Sequence, residues 1–199
     1  MKKSEHPIAL ESFALIDREI GSHNLNTEEY AIARRIIHST ADFDFKDLLS
    51  FSSTAIQSGI DALRQQYPII TDVSMVNMGI RNLVAQTFNN PLFVAVEAAP
   101  QAEPGKTRTE TGMIQLAHQL PNGIFAIGNA PTALLALCEE IEQGRVQPSL
   151  VIGAPVGFVS VVESKSRLAQ LAVPQIIVKG RKGGSPVAAA IVNALIHLA

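Results

Sequence analysis

Tryptophan is absent from the 199 residues, and aromatic side chains make up only 5% of them. That scarcity excludes the stacking platforms on which single-stranded nucleic acid is held. Positive charge is not in excess either. The net charge is −2 and the pI about 6.2, so a general DNA-binding surface is excluded and no nucleic-acid partner is expected. Cys138 is the only cysteine, which rules out an internal disulfide framework and a cysteine zinc cluster. The five histidines, His6, His23, His38, His118 and His197, include no pair with metal-binding HxH or HxxxH spacing, so no metal site is expected. No apolar run approaches the length of a membrane span. The start, MKKSEHPIALESF, has two lysines but no continuous apolar stretch, unlike a signal peptide. The expectation is a cytoplasmic protein without a membrane partner.

Cofactor motifs are missing too. No GxGxxG and no GxSxG occurs, against dinucleotide binding and against a nucleophile-elbow hydrolase. Gly105-Lys106-Thr107 resembles the end of a P-loop, but Pro100 stands where its first glycine is required. No cofactor is expected.

What remains is a chain rich in small and aliphatic residues. The hydrophobic share is 47% and mean hydropathy is +0.20, while charged residues reach only 17% against about 25% in ordinary proteins. This fits one domain over 1–199 whose strands are covered on both faces. The first third reads as helical. One helix is expected over Ile8–Ile20, and a second from Asn26, where Glu29 three positions on suggests a capping box. A third is expected over about 52–66, before Tyr67-Pro68.

Thereafter short apolar runs alternate with amphipathic stretches. The runs are PIITDVSM, PLFVAVEA, GIFAIGNA, SLVIGAPV and PQIIVKG, and helices are expected at about 75–86, 107–120, 131–143, 162–171 and 185–198. The pattern predicts an α/β fold: a mostly parallel, doubly wound, Rossmann-like sheet with helices on both faces, preceded by N-terminal helices.

Ligands on such sheets bind at the carboxyl ends of the strands. Three strand-to-helix turns there combine glycine with a helix start: Gly128-Asn129-Ala130-Pro131-Thr132, Gly153-Ala154-Pro155-Val156-Gly157, and Lys179-Gly180-Arg181-Lys182-Gly183-Gly184-Ser185. Helix N-termini carry unpaired N–H groups and partial positive charge. Residues 160–199 also hold Lys165, Arg167, Lys179, Arg181 and Lys182 against Glu163 alone. A ligand with several separated anionic groups suits these turns, although short βα turns use glycine in any case. His38, flanked by Arg34, Arg35 and Asp42 near a helix C-terminus, is a candidate proton donor or a helix cap. Cys138 in LLALCEE reads as core.

In order along the chain, Ile36-Ile37-His38-Ser39-Thr40-Ala41-Asp42, Thr71-Asp72-Val73-Ser74-Met75-Val76, Ile127-Gly128-Asn129-Ala130-Pro131-Thr132-Ala133-Leu134, Gly153-Ala154-Pro155-Val156-Gly157-Phe158-Val159 with Glu163-Ser164-Lys165, and Gly183-Gly184-Ser185 together resemble the precorrin-8X methylmutase family, also called cobalt-precorrin-8 methylmutases. The likeness covers Ile8 to Leu195. It implies an isomerase of cobalamin biosynthesis that moves a methyl group from C11 to C12 of a corrinoid ring, without a redox cofactor, and usually as a homodimer.

The resemblance also assigns residues. His38 takes the role of proton donor or acceptor. Ser12, in Ile8-Ala9-Leu10-Glu11-Ser12-Phe13, and Arg108, after Thr107, become substrate contacts. The anion-site reading of the turns adds Asn129, Thr132, Lys165, Arg181, Lys182, Gly183, Gly184 and Ser185 for the acidic rim of the ring, with Lys179 nearby. Met75, Val76, Phe158 and Val159 are candidates for an apolar wall against its body. Two rival classes share these features: a corrinoid carrier that differs only at His38, and a nucleotide-binding oxidoreductase that the missing GxGxxG disfavours.

Overall fold

Apolar runs of three or four residues, buried on both sides, form the centre of the molecule. The computed structural model describes residues 6–199. Met1–Glu5, part of the segment read as unlike a signal peptide, lie outside the described residues. In chain order the elements are α1 (Pro7–Glu19), α2 (Thr27–Thr40), α3 (Phe45–Leu48), β1 (Leu49–Phe51), α4 (Ala55–Arg64), β2 (Ile69–Thr71), α5 (Ser74–Gln86), β3 (Leu92–Val94), α6 (Ala95–Ala98), α7 (Arg108–Gln119), β4 (Ile124–Ile127), α8 (Pro131–Glu142), β5 (Leu150–Gly153), α9 (Val161–Ala169), β6 (Gln175–Val178) and α10 (Ser185–Leu198).

The strands form one sheet in the order β1-β6-β5-β4-β2-β3. All pairs are parallel except β1 with β6. Alternate strand residues face opposite layers, as the pleat requires. Ile69, Ile124, Ile152 and Ile176 join the core beneath α2, α4, α5 and α10. Ile70, Phe125, Val151 and Ile177 join the core beneath α7 and α8. Helices on both faces of a mostly parallel sheet are the expected architecture.

The helix boundaries follow local chemistry. At the start of α2, the Asn26 side chain accepts the N–H groups of Glu28 and Glu29 at 3.0 and 2.9 Å, and the Glu29 carboxylate accepts the Asn26 N–H at 3.0 Å. Such a cap stabilises a helix by about 1 kcal/mol. Helix α2 ends at Ala41 in a left-handed conformation, φ 56°, which turns the chain out at Asp42.

Two expectations need correction. The helix placed at 52–66 is shorter, Ala55–Arg64, because Leu49–Phe51 before it is drawn into the sheet as an antiparallel edge strand. Three residues give no periodicity of their own; β1 exists because β6 offers it unpaired backbone. The run PLFVAVEA is strand only over Leu92–Val94 and then coils into α6.

Helices α7 and α8 are joined through Glu140, which is 5% exposed. The Arg145 guanidinium donates to its carboxylate at 2.8 Å, and the His118 ring meets the same group. The Arg145 hydrogen bond, followed by that of His118, lowers the Glu140 pKa from 4.5 to about 2. A folded-state pKa below the unfolded value gives a contribution that is complete above the unfolded value and disappears as pH falls through the folded one. Replacing Glu140 with Gln is expected to reduce unfolding free energy by about 2 kcal/mol at neutral pH, since both partners are half-exposed and lose little else. In urea denaturation the gap between variant and wild type is expected to narrow between pH 4.5 and 2. A gap that stays constant over that interval contradicts the pairing.

Candidate active site

The chain runs from β2 to β3 on one side and from β4 to β5 on the other, so the strand order reverses between β2 and β4. Doubly wound sheets open a ligand crevice at such a point. Here the main-chain donors at that point are taken from within. Asp72, directly after β2, is 0% exposed. Its carboxylate accepts the N–H groups of Gly128, Asn129 and Ala130 at 2.9, 2.7 and 2.7 Å.

The turn before α8 was expected to offer free donors to a ligand. Instead an internal anion takes them, and the partial charge of the α8 N-terminus is answered inside the fold. Burial raises the Asp72 pKa above its ordinary value, while the N–H groups of Gly128, Ala130, Asn129 and Val73 act against that rise. Asp72 is the residue that sequence reasoning passed over. Its signal was an acid at the end of an otherwise apolar run, Ile69-Ile70-Thr71-Asp72, where burial demands partners.

The turns after β5 and β6 pack directly on each other. Gly183 has φ +157°, and a Cβ there would lie 2.3 Å from the Ala154 carbonyl oxygen, so only glycine lets the two chains pass. The Gly184 N–H donates to that same oxygen at 2.8 Å. Lys165, expected to face a ligand, points inward from α9. It is 3% exposed, and its Nζ donates to the carbonyls of Gly180 and Lys182 at 2.8 and 2.7 Å. Burial lowers its pKa to about 8.

Lys182 is also engaged. Its Nζ bonds Asp42 at 2.6 Å and Asp44 at 2.7 Å. The Lys182 bonds hold the Asp42 pKa below the ordinary carboxylate value. The pair fastens the end of α2 to the β6–α10 turn. Arg181 forms no ion pair among the described residues; its guanidinium carbon stands 5.6 Å from the Phe158 ring centre.

His38, in the last turn of α2, is exposed. Its ring lies 4.9 Å from that of Phe13 on α1. Of the flanking charges, Arg34 pairs with Asp17 at 3.1 Å and also lies over Phe13, and Asp42 is held by Lys182. Ser12 is half-buried beside Phe13. The Lys182 bridge therefore puts the helix that carries His38 alongside the glycine turns.

The other expected contacts are placed as follows. Arg108 donates to the carbonyls of Ala99 and Val96 at 3.2 and 2.8 Å and so ties α7 to the end of α6. The Thr132 hydroxyl meets that of Thr107 at 3.0 Å. Asn129 is exposed. Ser185 is 7% exposed at the head of α10. Of the apolar wall, Val76 is instead core at 0% exposure, whereas Met75, Phe158 and Val159 stand out at 67, 82 and 81%. Val156, at 44%, adds to them beside Gly184. Cys138 is buried, which raises its pKa to about 12 and leaves it an inert thiol. The described residues contain no cluster of acids, His and Cys that could hold a metal ion.

A doubly wound sheet with an imidazole-bearing helix fastened beside its carboxyl edge places the chain in the α/β class. Comparison with known proteins names the kind. The precorrin-8X methylmutase family matches residues 7–198. The cobalt-precorrin-8 methylmutase of Synechocystis sp. is 56% identical, over 98% of this chain and 96% of the relative. The precorrin-8X methylmutase of Pseudomonas aeruginosa is 38% identical, over 93% and 91%. A crystal structure of the precorrin-8X methylmutase from Thermus thermophilus superimposes with a TM-score of 0.88 at 39% identity, covering 96% of this chain and 94% of that one. The chain belongs to the precorrin-8X methylmutase family, and with it to the isomerases of cobalamin biosynthesis.

The Asp72 arrangement is open to test. Asparagine at 72 presents an NH2 where a backbone donor needs an acceptor. Asp72→Asn is expected to destabilise the fold by about 1–3 kcal/mol in urea denaturation. Wild-type stability would mean that the Gly128–Ala130 turn does not depend on the carboxylate.

Proposed function

We propose that the protein moves a methyl group from C11 to C12 of cobalt-precorrin-8, yielding cobyrinate, at the carboxyl edge of the sheet. The cobalt form is chosen because the 56%-identical relative bears that name; any cobalt belongs to the substrate. One observation supports the site above others. Exposed Val156 and Phe158 stand beside glycine turns that also carry Arg181, and Lys182 holds the His38 helix beside them. An apolar macrocycle with an acidic rim needs that combination: an apolar wall, main-chain donors and a guanidinium that grips carboxylates in a fork.

In this reading Ser12, Arg108, Asn129, Thr132, Arg181, Gly183, Gly184 and Ser185 meet the substrate. Lys165 and Lys182 serve the turn from behind. His38, as imidazolium, donates a hydrogen bond or a proton to the conjugated ring where charge develops as the methyl group leaves C11 for the adjacent C12. Charge there withdraws electrons and favours the isomer methylated at C12. General acid assistance contributes about 10²–10⁴-fold, and fixing the ring by its carboxylates contributes through orientation. The protein works in the cytoplasm as a homodimer. Leu10 and Leu15, exposed on α1 at 54 and 43%, suit contact with a second copy.

His38→Ala is expected to abolish the change in ring absorption that accompanies the methyl shift, while the product still binds. A folded His38→Ala variant that turns over at the wild-type rate removes the assigned role. Arg181→Ala is expected to raise KM more than it lowers kcat, because rim binding is the same in ground and transition states. An unchanged KM takes Arg181 out of the site.

A further inference from the structure

We propose that Lys165 is a positioning residue for substrate binding: it gathers carbonyls on the inner side of the β6–α10 turn and so faces the turn's N–H groups outward, toward an acidic side chain of the ring. This rests on the reading above that the turn meets the acidic rim.

A buried ammonium is costly unless something compensates it. Lys165 has no carboxylate partner among the described residues; both of its bonds go to main-chain oxygens two residues apart, those of Gly180 and Lys182. Packing alone would be served by an aliphatic side chain of similar length. The ammonium adds a fixed direction for two peptide planes.

No peptide bond among the described residues is cis, so each N–H points opposite to the carbonyl of the residue before it. Drawing the Gly180 carbonyl inward sends the Arg181 N–H outward. Drawing the Lys182 carbonyl inward does the same for the Gly183 N–H. Between them, the Arg181 carbonyl accepts the Gly157 N–H at 3.3 Å, which turns the Lys182 N–H away from the β5–α9 loop. Among the described residues, none of these three N–H groups donates to a protein acceptor. Successive main-chain donors of this kind make an anion-receiving concavity. Arg181 and Lys182 are exposed at this turn, so a carboxylate arriving there meets a guanidinium and main-chain donors together. Lys165 never touches it.

The test is an absorption titration with two probes: the corrinoid acid product, and the same ring with its peripheral carboxylates converted to amides. Lys165→Met is expected to weaken binding of the acid by about tenfold or more, and of the amide by no more than about twofold. A merely structural lysine would weaken both alike. Equal losses on the two rings, or no loss on the acid, overturn the proposal. If Lys165→Met yields no folded protein, Lys165→Ala titrated with methylammonium is expected to regain preference for the acid ring as the amine rises; a preference indifferent to the amine also overturns it. Arg181→Ala in the same titration separates the two readings. Equal losses on both rings there remove the premise that the rim meets this turn. A selective loss there, with none in Lys165→Met, removes only the role of Lys165.

Discussion

A carboxylate sealed at the point where the strand order reverses organises the carboxyl edge of this sheet. Asp72 leaves β2 and takes three consecutive N–H groups from the turn after β4. A charge in that position is tolerable only because every donor around it is used, and the donors are buried safely only because the charge is there. The mutual dependence fixes the start of α8, and with it the places of Asn129 and Thr132. The carboxylate also takes, from within, the main-chain donors at the point where a doubly wound sheet ordinarily meets its ligand.

The proposed ligand-facing role falls beside it, on the turns after β5 and β6. Two lysines arrange those turns, each with its ammonium already engaged by the protein. Lys165 holds them from inside the protein, and Lys182 reaches across to Asp42 and Asp44. The second link matters for chemistry. It joins the β6–α10 turn to the end of the helix that carries an imidazole, across 140 residues of sequence. The place of the His38 helix beside the β6–α10 turn is thus held by this ion-paired side chain together with the packing of α2 on α10.

Local signals made much of the fold legible. The Asn26–Glu29 cap, Pro131 at a helix start and the continuous apolar runs each express their structure within a few residues. The carboxyl ends of the strands followed from the pattern of the sheet. Strand β1 was not legible, because it forms only against β6, more than a hundred residues away. The state of the cations was hidden for the same reason. Lys165 and Lys182 look alike in sequence to Arg181, yet their partners are carbonyls and acids brought in by folding. Charge read along a chain tells how many cations a region holds; only packing tells which of them are already spoken for.

One consequence of the internal carboxylate concerns competition. A bare helix start at the mouth of a cleft attracts any small oxyanion, and a cell is full of inorganic phosphate. With the three N–H groups before α8 already given to Asp72, such solutes find those donors taken. On the proposed reading competitors meet only the neighbouring Arg181 turn, where a large molecule with an apolar body outmatches a small ion by also covering Phe158.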